Sequence, residues 1–531
     1  VTDTTARAEA ASTDYAQFSH RQILTIFAGL MLGMLLAALD QTIVATALPT
    51  ITGELGGLDH LSWVVTAYLL AATVSTPLYG KLGDLFGRKR LFQIAIATFL
   101  AGSVLCGMAQ TMGQLIAFRA LQGIGGGGLI VLAMAIIAEV VSPRERGRYQ
   151  GYFGALFGAT SVAGPLLGGF FTDTLSWRWV FYINLPLGLL ALVVTAAVLP
   201  AGRRHGNPTV DYAGAAILTA AITCLVLCTT WAGTQYAWGS PTIIGLLVTA
   251  AVLLVALIGV ERRAPEPIVP VHLFRSSTFN VSVSVSFIIG VAMFGSIAFL
   301  PLFLQVVNGA SATSSGLLLM PLMLGLIGSS TLCGQIISRT GRYKPYPIIG
   351  CALATVSVGL LATIGTETSK GTVSAYMVAL GIAIGMAMPV LILATQNSVA
   401  ISDLGVATSS VSFFRSLGGS LGVALFGSVF NNVLAGRLGA SFVVGDGGVT
   451  PDGIRALGDA DRLVYVGAFA HAISTVFVYA LPLVAVGFLL TWLLRETPLR
   501  QTAHGAAVDP DGELTAAAAA AGAPDAVPAF H

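Results

Sequence analysis

Fourteen apolar stretches of roughly 18–30 residues, each long enough to cross a hydrocarbon core of about 30 Å as a helix, dominate this sequence. They lie near 22–48, 61–79, 91–109, 113–138, 149–172, 179–199, 213–233, 241–260, 280–304, 314–337, 346–365, 373–399, 407–433 and 465–494. Of the 531 residues 55% are apolar and only 9% charged, too little polar surface to keep a soluble globule wet. The predicted fold class is all-α, a polytopic membrane protein with 14 transmembrane helices. The first run is too long, and too poorly flanked by basic residues, for a cleavable signal peptide.

Orientation follows from the 26 Lys and Arg, because loops on the cytoplasmic side retain positive charge. With the N-terminus inside, 19 of them face the cytoplasm and only five face outward, which leaves Arg119 and Arg415 within spans. Both termini are therefore expected in the cytoplasm, in a multi-pass protein of an inner or plasma membrane. Topology accounts for the basic residues, so the net charge of +2 gives no indication of nucleic acid. All five cysteines sit within apolar runs, without a CxxC pair or a histidine cluster, and read as small hydrophobes; no metal site or cofactor is expected. No G-x-x-x-x-G-K-[ST] occurs, which argues against ATP as the direct energy source.

A repeat sets the architecture. The basic turn at 80–90, Gly-Lys-Leu-Gly-Asp-Leu-Phe-Gly-Arg-Lys-Arg, returns in degenerate form at 334–344. Gly80, Gly87 and Arg88 match Gly334, Gly341 and Arg342 at an offset of 254, while Asp84 is replaced by Ser338. Pro49, expected to end span 1, matches Pro301 in span 9, and Gly147 and Gly164 match Gly405 and Gly422. Copies eight spans apart predict two six-helix bundles, 22–199 and 280–495, separated by a linker at 200–279 that carries two inserted helices, 7 and 8. Residues 1–21 and 496–531 read as disordered cytoplasmic ends. The outward loop at 434–464 reads as a lid or spacer.

Asp40 is the one acid well inside a span. A carboxylate there costs roughly 2.5–3.5 kcal/mol to insert, because leaving water disfavours the charged form. Two readings stand: a group that loads and releases a proton, or one satisfied by hydroxyls that merely ties helices together. Arg119 lies at a similar depth in span 4, either beside that acid or bonded to helix carbonyls. Arg415, in span 13, has no acid at its level. Glu139 ends span 4 where the helix dipole disfavours an anion, so Asp84, Arg88 and Glu139 form either a conformational latch or a set of solvated interfacial charges.

Gly123, Gly125 and Gly128 spell GxGxxG, but no strand precedes them and close helix packing explains them better. Span 5 concentrates Gly158, Gly164, Pro165, Gly168 and Gly169, a bending or sealing segment. Trp63, Tyr68, Phe157, Phe294, Gln305, Gln335, Gln396, Asn397 and Phe414 are candidates to line a cavity for bulky apolar or cationic compounds. His471, early in span 14, is a further titratable group, more often structural at such a position.

Together these residues resemble the major facilitator superfamily. The Gly80–Arg90 turn resembles its signature between helices 2 and 3, and Arg119 with Gln122-Gly123 resembles the helix 4 motif linked with proton transfer. Gly158 through Gly169 resembles the antiporter motif of helix 5. Leu39-Asp40-Gln-Thr-Ile-Val with Ala47-Leu48-Pro49, and Trp177-Arg178-Trp179-Val-Phe-Tyr-Ile-Asn184-Leu-Pro186, resemble the fourteen-helix drug:proton antiporters of the EmrB/QacA type. The resemblance implies a proton-coupled exporter of hydrophobic, often cationic, drugs, not an enzyme, with protons, small-molecule substrate and membrane lipids as its partners. An exporter of an endogenous metabolite, antibiotic or lipid is the alternative. An adaptor protein is neither implied nor excluded.

Overall fold

The apolar runs fold as fourteen helices in a computed structural model, which describes residues 20–56, 61–141, 143–199, 210–233, 235–309, 319–438 and 458–499. In chain order they are α1 (His20–Leu55), α2 (Leu61–Phe86), α3 (Arg88–Met108), α4 (Met112–Val140), α5 (Pro143–Thr174) and α6 (Trp179–Tyr182, continued by Asn184–Val198). Then follow α7 (Tyr212–Trp231), α8 (Pro241–Glu261), α9 (Ser277–Val306), α10 (Met320–Thr340), α11 (Pro345–Leu361), α12 (Lys370–Ser398), α13 (Leu404–Leu438) and α14 (Asp459–Thr491). The expected terminal disorder falls almost entirely outside the described residues, as does 439–457 of the expected lid.

Eleven of these helices are long and apolar enough to cross a membrane by length and composition. The other three are α2, α5 and α11. The last has only 17 residues. Helices α2 and α5 carry Ser, Thr and Gly because each packs against the opposite half of the molecule, α2 on α13 and α5 on α10, where lipid does not select for hydropathy. Pro49 does not end the first helix. α1 runs through it to Leu55, as α9 runs through Pro301 to Val306, since a proline removes one backbone donor without stopping a supported membrane helix.

The repeat is visible in the packing. α1 packs on α5, α2 on α4 and α3 on both α4 and α6; eight helices later α9 packs on α13, α10 on α12 and α11 on both α12 and α14. Gly87 (φ 93°) and Gly341 (φ 74°), equivalent in the two basic turns, both end their helices in the left-handed region that favours glycine. The glycines of α4 serve close approach, as expected. A Cβ at Gly123 or Gly127 would collide with the Tyr68 or Ala72 carbonyl of α2, and one at Gly125 with the Phe99 backbone of α3.

The inserted pair stands at the edge of the molecule. α8 packs chiefly on α7 and turns Val248, Val252 and Val255 outward. α7 touches both halves: Trp231 meets Trp63 of α2 edge-on at 5.8 Å, and Thr229 shares a 2.7 Å hydroxyl contact with Ser420 of α13. The segment after α8 is tied down as well. Glu261 accepts the Val269 amide, Lys81 of α2 bonds Glu266 at 2.7 Å, and His272 meets Asp403, just before α13, at 2.9 Å.

Candidate functional site

Asp40 is fully buried in α1, and four other helices converge on it. Arg119 of α4, 2% exposed, donates from Nη1 to Asp40 Oδ2 at 2.6 Å and to Gln122 Oε1 at 2.7 Å. Its Nε donates to the Val64 carbonyl of α2 at 3.2 Å, and the guanidinium lies 4.3 Å from the centre of the Tyr68 ring. Gln122 Nε2 donates to Asp40 Oδ1 at 2.8 Å and to Ser103 Oγ of α3 at 2.7 Å. Asn184 of α6 donates to Ser103 Oγ at 3.0 Å and reaches Asp40 Oδ1 at 3.5 Å.

The sequence offered two alternatives for each charged member, and the contacts bear on each. Asp40 is not held by hydroxyls alone; it is an ion-pair partner. Arg119 does bond a helix carbonyl, but through Nε, which leaves Nη1 for the carboxylate. Two opposite charges out of water stabilise one another only when the remaining hydrogen-bonding sites are also filled. Gln122 and Asn184 fill them. A neutral amide presents either a donor or an acceptor, and the Asn184 oxygen is buried without a partner, so rotating that amide would offer an acceptor to a protonated Asp40. Among the sequence candidates only Asp40, Arg119 and Tyr68 meet here. Ser103, Gln122 and Asn184 complete the site but carry no charge to betray them. Gln122 was visible as the residue one turn beyond Arg119 on the same face.

A second cluster joins the halves at the face that carries the basic turns. Arg88 donates to Asp84 Oδ1 at 2.7 Å and to Glu139 Oε2 at 3.1 Å, bringing the three latch candidates together. Asp84 also accepts the Gly405 and Val406 amides of α13, both at 3.1 Å, so a carboxylate of the first half caps a helix of the second. Gly80 lets the helices meet, since a Cβ there would strike Ser409. Beside this, Arg146 of α5 donates to Gln396 of α12 at 3.2 Å, and Gln396 donates to Thr408. The apolar core of the first half continues into Val399, Val406 and Val411 of the second.

The glycines of α5 are brought against α1. A Cβ at Gly164 would meet the Thr42 hydroxyl and one at Gly168 the Thr46 hydroxyl, while Thr42 donates to the Thr160 carbonyl at 3.0 Å. Gly158 faces Ile327 of α10, whereas Gly169 has open space. At the opposite face Glu54, near the end of α1, accepts Trp177 Nε1–H at 2.7 Å and Arg178 at 2.5 Å. The Arg178 hydrogen bond first, and that of Trp177 second, hold the Glu54 carboxyl below the usual range.

The cavity candidates are not gathered in one place. Gln396 is consumed by Arg146 and Thr408, and Asn397 is buried against Thr497 and Pro498, because both sit at the end of α12 where the halves are closed. Tyr68 lies under Arg119 inside the first half, Trp63 packs on α7, and Phe294 presses on Gly419. Phe157 and Phe414 pack against the first-half core, Gln305 lies near the end of α9, and Gln335 and His471 are exposed.

The major facilitator superfamily profile matches residues 30–423. An uncharacterised MFS-type transporter of Mycobacterium tuberculosis, Rv1877, is 47% identical over 478 residues, which cover 89% of this chain and 70% of that protein. The multidrug transporter protein MdtP of Bacillus subtilis is 41% identical over 78% of this chain and 77% of its own length. In fold the chain resembles the human organic anion transporter MFSD10, with a TM-score of 0.62 at 16% identity, over 88% of this chain and 99% of that one. A fourteen-helix architecture in two repeated halves and this degree of identity lead to one conclusion: the chain belongs to the major facilitator superfamily and is a multi-pass membrane transporter related to multidrug efflux proteins, not an enzyme.

Proposed function

We propose that this transporter is a proton-coupled antiporter that exports hydrophobic small molecules by alternating access of its two halves. The observation that carries the reading is the Asp40–Arg119 pair: a fully buried carboxylate held by a guanidinium and two amides. Protonating Asp40 removes the charge that holds Arg119, so the same proton that loads the site frees a cation and disfavours the existing packing of α1 against α4. Re-formation of the pair expels the proton. The face that carries the basic turns is taken as cytoplasmic, and the Asp84 cap on α13 with the Arg146–Gln396 contact keeps that face closed while the outer face exchanges protons. The α5 glycines allow α1 and α5 to move as one packed unit.

Exchange of one proton for one neutral molecule draws on the pH gradient, about 1.4 kcal/mol per unit, and on the membrane potential. The test uses purified protein in sealed proteoliposomes with an imposed pH gradient and a panel of fluorescent dyes. Wild type should move dye against its gradient with counter-movement of protons. Asp40→Asn, still monodisperse, should lose gradient-driven transport, and transport at the wild-type rate would overturn the assignment.

A further inference from the structure

Asp40 and Arg119 neutralise one another, which leaves one further cation at depth among the described residues. Arg415 lies eleven residues into α13, about 17 Å from its start at ~1.5 Å per residue, well inside a helix long and apolar enough to cross a membrane. Its guanidinium has five donors, yet among the described residues it forms no hydrogen bond or ion pair, and the side chain remains partly accessible. An arginine at this depth is too far from either interface to snorkel, and an unmatched charge inside a membrane protein is costly unless something completes it.

The surroundings fix where that something sits. Before Arg415 the helix presses on the first half, with Val411 in its core; after it, Gly418, Gly419 and Gly422 press on Phe287, Phe294 and Val291 of α9. Arg415 therefore stands where α13 parts from the first half. Its backbone cannot retreat, because a Cβ at Gly290 would already collide with the Arg415 carbonyl. Phe413 and Phe414, in edge contact at 5.4 Å, precede it on the helix and pack on two different apolar clusters.

We infer that Arg415 is a binding subsite for the anionic head, carboxylate or phosphate, of an amphiphilic cargo. The inference rests on the reading of the chain as an exporter but not on proton coupling, so its test is a binding measurement without any gradient. The melting temperature of purified protein in a nonionic detergent is followed while decanoate, decyltrimethylammonium or inorganic phosphate is titrated, for wild type, R415K, R415Q and D40N. Decanoate should stabilise wild type, R415K and D40N at similar concentrations and require at least tenfold more with R415Q, while decyltrimethylammonium treats all four alike. On wild type alone, decanoate should shield Arg415 from phenylglyoxal, read by peptide mass spectrometry, and decyltrimethylammonium should not; this arm stands even if R415Q does not fold. Equal decanoate responses in wild type and R415Q, no shielding, or an equal response to inorganic phosphate alone would overturn the subsite. Loss of dye export in D40N with decanoate binding intact would separate coupling from binding.

Discussion

The two halves repeat one helix arrangement but treat charge in opposite ways. The first half buries an acid and a base and completes them with Gln122, Ser103 and Asn184. The second half has one continuous apolar core and an arginine within a span, Arg415, with no hydrogen-bond or ion-pair partner among the described residues. The basic turns differ in the same sense. Asp84 reaches across to cap α13, whereas its counterpart Ser338 donates to the Gln335 carbonyl of its own helix. The two halves share a scaffold, and at the one matched pair, Asp84 and Ser338, the contacts run across the halves in one copy and within a single helix in the other.

The strongest way to break this comparison is to remove Arg119 and Arg415 in turn. Arg119→Ala leaves Asp40 buried without its counter-ion and should destabilise the protein by about 3–5 kcal/mol, whereas Arg415→Ala orphans no partner and should cost less than about 1 kcal/mol. Thermal unfolding in detergent distinguishes them, and equal losses would mean that Arg415 has a structural partner after all. The next contrast lies within α5. Gly164→Ala forces a methyl against Thr42 and should cost about 1–3 kcal/mol, while Gly169→Ala, facing open space, should be tolerated.

The latch gives a smaller effect. Asp84→Ala removes a helix cap worth about 1 kcal/mol and should shift the conformational equilibrium toward opening at the basic face, read as faster labelling of a cysteine introduced at Ser409. Ser338→Ala, at the matched position of the second half, should leave that labelling rate unchanged. The smallest effect concerns the opposite face. The carboxyl of Glu54 is held below its ordinary 4.5, so the clamp's contribution is fully present above that value and is lost as pH falls through the lower bound-state value. Melting temperature should therefore show no Glu54-dependent change between pH 5 and 8, with wild type and Glu54→Gln diverging less as acidity increases below about pH 4.5.

Much of this was legible in the chain. Fourteen apolar runs fixed the helix count, and the offset of 254 between Gly87 and Gly341 anticipated two equivalent left-handed helix ends. Asp40 and Arg119 stood out because charge inside an apolar run is costly and therefore conspicuous. Gln122 and Asn184 entered only as members of motifs, since amides are only mildly penalised there and their contacts depend on neighbours contributed by other helices. The Arg146–Gln396 contact, 250 residues apart in sequence, leaves no periodic trace at all. Pro49 misled for a local reason: turn chemistry that stops a helix in water is overridden when neighbouring helices support the backbone.

The position of α7 has a consequence for how molecules dissolved in the bilayer reach the interior. By gripping α2 through Trp63 and α13 through Ser420, it walls off the seam between those helices from the surrounding acyl chains. At the seam between α5 and α10 the helix that touches both is α12, a member of the second half. A compound partitioned into the leaflet thus meets two unequal doors, one boarded over by the inserted pair and one closed by helices of the two bundles themselves.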